Sequence, residues 1–474
     1  MGNYIKTFTN GANVANGGSK TKTQSGNNTT QAWRRLTQYL PDRDADADFW
    51  WKYSGLHLAI LLQEAGYPTD RQIEALVFFY HWGAPYMGPA PRADGKLLKW
   101  KSQVQPDGTP IRYSWKWPQE SAGHPELRYD IEPIGAHAGT ELDPLCQLAS
   151  KELLTRLATT MPDARIDNTW FNHFMSTLFE HDNAKLATAA ARGEPSSSTV
   201  FIATELLPSG VSFKTCVQPR LLSYRGLAPA HVYEDSMADI EPETPARTAV
   251  HDFLSTSREG RLMRPFSLGV ENHADSRLKW RFNCAHTSFA SVCSILTLDG
   301  RVQHRYIEDQ LDALRELTTS LLDLPADFPD TEHSATFLNA RPPSLAPPGY
   351  SYYFDVSPGQ DLPEVEWSLP LRNYNLDDLR VARTLTAWME SQGRGAYCGQ
   401  YMAALERLAA SRGLRLDESR GLQEFVSFSL NADGEIDVTT QLSAHAFAEI
   451  EQEKEREKLR VSPRRATLQR GEDY

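Results

Sequence analysis

Two helical stretches followed by two strand-like runs recur about five times along this 474-residue chain. Helical periodicity covers residues 49–65, 70–82, 142–157, 170–191, 244–257, 307–322, 376–391 and 399–410. Between them lie paired runs of alternating or β-branched character: 111–117 with 127–134, 199–206 with 211–218, 266–271 with 278–284, 351–356 with 365–371, and 423–430 with 435–442. Short turns such as Pro208-Ser209-Gly210 and Asn431-Ala432-Asp433-Gly434 make the pairs antiparallel hairpins. Ten antiparallel strands with helices outside predict an α+β fold: a ten-stranded antiparallel barrel surrounded by helices, built from repeated ααββ units. Closure leaves no free edges and turns one face of every strand into the lumen.

The stretch from Ser276 to Phe282 shows what such a lumen would hold. Arg277, Lys279 and Arg281 fall on one face, and Leu278, Trp280 and Phe282 on the other. Three cations on adjacent pleats repel one another unless an anion sits among them, and they are well placed to grip a phosphate or diphosphate. Other hairpins add to the set. Arg128, Asp130 and Glu132 share one face, and Lys214 and Cys216 share another. Burying five cations together is costly without an anionic ligand. Pairing with Asp130, Glu132 or Glu366 is expected to answer for one or two of them, not for all.

Net charge is −12, which excludes general nucleic-acid binding, since that needs a basic footprint. No apolar run is long enough for a membrane-spanning helix. The 11 Trp and 18 Tyr supply flat walls for a planar or carbocationic ligand. Five scattered cysteines (Cys146, Cys216, Cys284, Cys293, Cys398) form neither a zinc motif nor a disulfide framework, and point to a reducing cytoplasm. Residues 1–30 read as a disordered tail, 31–445 as one barrel domain, and 446–474 as a charged tail. The Pro-rich stretch 341–349 reads as a loop leading into a strand. Asp42, Asp44, Asp46 and Asp48 form an acidic lead-in to the first long helix with N-cap character.

The chain resembles the fungal aromatic prenyltransferases of the dimethylallyltryptophan synthase family. The likeness is carried by Phe49-Trp50-Trp51-Lys52-Tyr53-Ser54-Gly55, Arg128-Tyr129-Asp130-Ile131-Glu132-Pro133-Ile134-Gly135, Lys214 followed by Pro219, and Arg277-Leu278-Lys279. His286-Thr287-Ser288-Phe289, Leu298-Asp299-Gly300-Arg301 and Tyr352-Tyr353-Phe354-Asp355-Val356-Ser357-Pro358-Gly359 complete it, so it spans roughly Gln31 to His445. It implies a barrel of antiparallel strands ringed by helices, and transfer of a prenyl group from a prenyl diphosphate (dimethylallyl, geranyl or farnesyl) to an aromatic acceptor in secondary metabolism. It implies that Arg128, Lys214, Arg277 and Lys279, joined by Arg281, hold the diphosphate. It also implies no required cofactor, with Mg2+ tolerated but not essential. A homodimer is compatible with the family.

Departures from the family pattern point to the acceptor. Arg112 stands where members that act on indoles carry a Glu for the indole N–H, and arginine cannot accept a hydrogen bond. A phenol or polyketide acceptor suits it better, with Arg112 at the reacting end and Glu132 or Glu205 as substitute bases. Cys216 and Arg281 stand where shielding tyrosines are usual, and Ser368 and Gln441 lie near two more such positions. A wider lumen or a weaker cation shield results, in which Trp115, Trp117 and Tyr353 could resupply aromatic faces beside Glu366, while Trp280 and Trp367 point outward. Two alternatives stay open: an isoprenoid-diphosphate cyclase on the same barrel, and a non-catalytic binder of isoprenoid diphosphates.

Overall fold

The structure, a computed structural model, describes residues 30–447 apart from 92–97, 99, 120–122, 193–195, 225–227, 242, 341–348 and 358. The expected N-terminal tail, the Pro-rich loop and nearly all of the charged C-terminal tail therefore lie outside the described residues.

Five ααββ units follow one another. The first has α1 (Gln31–Tyr39), α2 (Ala45–Glu64) and α3 (Thr69–Phe78), then β1 (Ile111–Lys116) and β2 (Glu126–Ile131). The second has α4 (Leu148–Thr160), α5 (Thr169–Thr177) and α6 (Asn183–Ala191), then β3 (Val200–Leu207) and β4 (Gly210–Val217). The third has α7 (Ala230–Ala238) and α8 (Pro245–Thr256), then β5 (Arg264–Glu271) and β6 (Leu278–Cys284). The fourth has α9 (Phe289–Leu296), α10 (Ile307–Leu322) and α11 (Ser334–Phe337), then β7 (Tyr350–Val356) and β8 (Glu364–Leu369). The last has α12 (Asp378–Ser391) and α13 (Cys398–Ser411), then β9 (Gln423–Leu430) and β10 (Ile436–Ser443). Each strand pairs antiparallel with its sequence neighbour, and β1 pairs with β10, so the sheet closes.

Local chemistry sets the helix ends. Asp44 caps α2 by accepting from the Ala47 amide at 3.0 Å, with Asp46 and Asp48 in the first turn. Gly66, at φ +80°, ends the same helix, and the Tyr67 amide reaches back to the Leu62 carbonyl. The stretch expected as one helix over 142–157 starts only at Leu148. Asp143 accepts from the Gln147 and Leu148 amides and holds the preceding residues as a turn. The single helix expected over 170–191 is two. Leu178 and Glu180 hydrogen-bond the backbone of Arg220, and Asp182 then caps α6. The helix expected over 70–82 finishes as a π-helical turn at Phe79–Gly83. The short α1, α7 and α9 carry too few turns for their periodicity to stand out.

The core lies between the barrel wall and the helices. Tyr113 of β1 donates to the Ser54 carbonyl of α2, Tyr129 of β2 meets Phe79 edge-on, and Trp280 of β6 stacks on Tyr233 of α7. Trp280 and Trp367 point outward, as strand parity predicts. So does Trp115, contrary to its expected place in the lumen. It is fully buried against Trp117 and Tyr401, ring centroids 6.2 and 5.5 Å away. The reason is parity: Arg112 and Ser114 face inward, so the residue between Ser114 and Lys116 must face the helices. Trp115→Ala should cost about 3–5 kcal/mol of stability, measured as a lowered urea midpoint.

Candidate active site

Inward-facing side chains fall into two groups, one near the mouth and one deep in the lumen. The mouth group contains Arg128, Lys214, Arg277 and Lys279, whose side chains keep between 29% and 38% exposure. Arg128 Nε lies 3.0 Å from Asp130. Lys214 Nζ lies 2.9 Å from Glu205 and 3.2 Å from Glu271. Arg277 spans Glu271 at 3.0 Å and Asp355 at 3.3 Å, and Lys279 Nζ lies 2.6 Å from Glu366. The four implied diphosphate ligands are therefore brought together, but the expectation that carboxylates would answer for only one or two of them was wrong. Strand register accounts for part of it: Lys214 sits opposite Glu271, whereas Lys279 and Arg128 close on Glu366 and Asp130 rather than on Asp355 and Glu205 opposite them.

Ion pairing holds these groups charged. Burial raises the Glu271 carboxyl, but Arg277 and Lys214 outweigh it and bring it down to about 2. Burial works against the Asp130 and Glu366 carboxylates too, and arginine or lysine partners again win. For Asp355 the balance reverses, and burial lifts its carboxyl above the usual range. The pairs leave donors unspent. An ammonium has three N–H groups and a guanidinium five, so an anion entering at the mouth meets fixed donors.

The deep group is cationic and aromatic. Arg112 Nε lies 2.7 Å from Asp130, and its guanidinium sits 5.2 Å from the Phe201 ring. Arg112 thus belongs to the lumen, but as the partner of a fully buried carboxylate. Arg372 pairs with Glu424 and covers Phe425 at 4.6 Å. Arg281, also expected among the diphosphate ligands, lies in this deeper group. Its Nη2 donates to Ser351 at 3.0 Å, and its guanidinium faces Phe266 at 4.5 Å and Tyr353 at 5.5 Å. Tyr353 stands at the boundary, with Lys279 Nζ 5.2 Å from the same ring. Cys216 adds a neutral thiol, pushed up to about 11 by burial. Ser368 pairs with Ser351 and Gln441 with Ser114, which places both on the lumen wall.

Two assignments change. Glu132 does not reach the mouth or deep groups as a base. Its carboxylate is buried at the end of β2, where it accepts from Ser102 and from the Gln103 amide at 2.8 Å and ties down that segment. Glu205 is in the lumen but bound to Lys214. Sequence reasoning also missed Arg372, Phe201 and Phe425. The signal was available. Arg372 continues the inward series Glu364, Glu366, Ser368 past the strand end, and Phe201 precedes Ala203 and Glu205 on the inward face of β3.

An antiparallel barrel with a cation ring at its mouth and aromatic faces beneath defines a prenyl-diphosphate-using transferase, and comparison with known proteins agrees. Residues 46–404 match the family model described as tryptophan dimethylallyltransferase. A prenyltransferase of Pestalotiopsis microspora is 43% identical over 94% of this chain and 98% of its own length. Xanthone prenyltransferase B of Emericella nidulans is 40% identical over 96% and 98%. Among solved structures, AnaPT from Neosartorya fischeri superposes with a TM-score of 0.72 at 22% identity, covering 87% of this chain and 97% of that one. The chain belongs to the tryptophan dimethylallyltransferase family, and it is an aromatic prenyltransferase.

The buried Glu132 generates a pH dependence. Burial raises its carboxyl from 4.5 to about 7. The unfolded chain then loses this proton first, so stability falls as pH rises between those values. Glu132→Gln should abolish that fall. The check is the difference in urea midpoint between about pH 5 and about pH 7.5, which should shrink in the variant.

Proposed function

We propose that this enzyme transfers a prenyl group to a phenolic, polyketide-type ring rather than to an indole. One observation carries the reading. The deep end of the lumen presents guanidinium groups, and its carboxylates, Asp130 and Glu424, are each engaged by arginine. An indole N–H would compete with arginine for either of them, whereas a phenol oxygen meets donors. The 40% identity to a protein named as a xanthone prenyltransferase supports the same acceptor class.

In this reading the C1–O bond of the donor breaks, and its electron pair leaves on the diphosphate. Arg128, Lys214, Arg277 and Lys279 meet that growing charge from fixed positions, so little reorganisation is needed as the bond stretches. Tyr353 offers its π-face to the allylic cation beside the mouth group. The acceptor attacks the allylic carbon to form the new bond and passes its proton to the departed diphosphate, which restores its aromaticity. Dimethylallyl, geranyl and farnesyl diphosphates are the candidate donors. Gly269 sits opposite Lys279, and Cys216 opposite Gly269, so little bulk lines this side of the lumen, which favours the longer chains. We expect catalysis to persist in EDTA, since side chains supply the positive charge. No described helix is long and apolar enough to cross a membrane, and the five free cysteines suit a cytoplasmic setting.

The test is diphosphate release from each donor, with and without phenolic and indole acceptors, with products followed by mass. Release only with a phenol, and a gain of one prenyl unit, is the expected result. Release without acceptor would move the enzyme to isoprenoid cyclisation. Arg277→Ala should lower kcat/KM for the donor by roughly 2–4 kcal/mol of transition-state stabilisation. An unchanged value in a variant of normal melting temperature would remove Arg277 from the diphosphate site.

A further inference from the structure

Among the described residues, every cation of the mouth and deep groups but one has a carboxylate partner. Five cations (Arg112, Arg128, Lys214, Arg277, Lys279) share five carboxylates (Asp130, Glu205, Glu271, Asp355, Glu366). Arg372 has Glu424. Arg281 is left over: among the described residues no carboxylate lies within ion-pair distance of it. It is 8% exposed, and its Nε is buried without a hydrogen-bond partner. Serine and two aromatic rings are what it touches. An unpaired guanidinium that deep costs more than a surface one, because no water replaces its lost hydration.

The surplus is also specific in shape. Phe266 and Tyr353 hold the guanidinium plane, and Ser351, itself donating to Asn283 at 2.8 Å, fixes Nη2. Of its five N–H donors only one is spent on Ser351, and a guanidinium with donors to spare suits a planar oxyanion. Arg112 and Arg372 stand close enough to add to the positive field. Arg281 and Lys279 both lie against the Tyr353 ring, at 5.5 and 5.2 Å, but Arg281 is far less exposed than the four cations of the mouth group.

Building on the prenyl-transfer reading above, we infer that Arg281 anchors the acceptor through a carboxylate, or through a phenolate with an adjacent carbonyl, and so selects salicylate-type rings over neutral phenols. It acts as a specificity-determining residue. The anion neutralises that cation and holds the electron-rich ring deep in the lumen, facing the allylic carbon.

The experiment compares 2,4-dihydroxybenzoate with resorcinol, the same ring with and without the carboxylate. Binding is measured by calorimetry, and turnover with dimethylallyl and geranyl diphosphates, for the wild-type enzyme, Arg281→Gln and Arg281→Lys. The wild type should bind the benzoate at least tenfold more tightly. Arg281→Gln should raise the benzoate Kd and KM roughly tenfold to hundredfold, the value of a charge-assisted hydrogen bond. The resorcinol and donor constants should change far less than the benzoate ones, and Arg281→Lys should recover part of the loss. Equal binding of both rings by the wild type would overturn the assignment. So would a raised donor KM in Arg281→Gln with the acceptor constants unmoved, which would return Arg281 to the diphosphate site. Acceptor-dependent diphosphate release is scored separately, so failure of the anchor and failure of prenyl transfer give different results.

Discussion

Closing ten strands on themselves leaves half of every strand facing a lumen that helices cannot fill. All else in the molecule answers that constraint. The outward half is apolar and aromatic, and it packs on a shell of paired helices. The inward half must be polar enough to stay hydrated or paired, and the chain solves this with cross-strand ion pairs. Those pairs hold the lumen walls in register while leaving cationic edges turned toward the mouth. A barrel lined with apolar residues would collapse into a packed core, and one lined with cations alone would repel itself.

Function grows out of that solution. The mouth carries cations that are charged, oriented and already neutralised by partners able to loosen their hold when a stronger anion arrives. Below them, past Tyr353, the lining turns to guanidinium and aromatic faces. One continuous space therefore offers two kinds of positive environment. The upper one suits a multiply charged leaving group. The lower one suits a flat, singly charged ring.

Much of this was legible in the sequence because strands repeat every two residues. The ααββ order, the barrel and the inward placing of Arg128, Lys214, Arg277 and Lys279 all follow from alternation and turn residues. What alternation cannot reveal is which residues of distant strands sit opposite each other. Glu271 looked no different from a solvent-facing carboxylate until register placed it opposite Lys214, and Glu366, already read as inward, could not be matched to Lys279 in particular. Trp115 was misplaced although the rule that corrects it was at hand, because three positions separate it from Arg112 and an odd separation puts the two on opposite faces. Arg372 escaped notice since it lies in the 3-10 turn Leu371–Tyr374 beyond the end of β8, outside the strand to which alternation was applied. Glu132 shared the inward parity of Arg128 and Asp130, but the strand stops at Ile131, and the carboxylate turns to Ser102 instead.

The outward placing of Trp115, Trp280 and Trp367 also decides what light can report about this protein. Their indoles sit in a dry layer between sheet and helices, away from the lumen. Their emission should be blue-shifted and nearly indifferent to direct contact with anything in the barrel. A change in that emission on adding a substrate would mean that the helical shell had moved against the sheet, and so would record a mechanical response of the scaffold rather than occupancy.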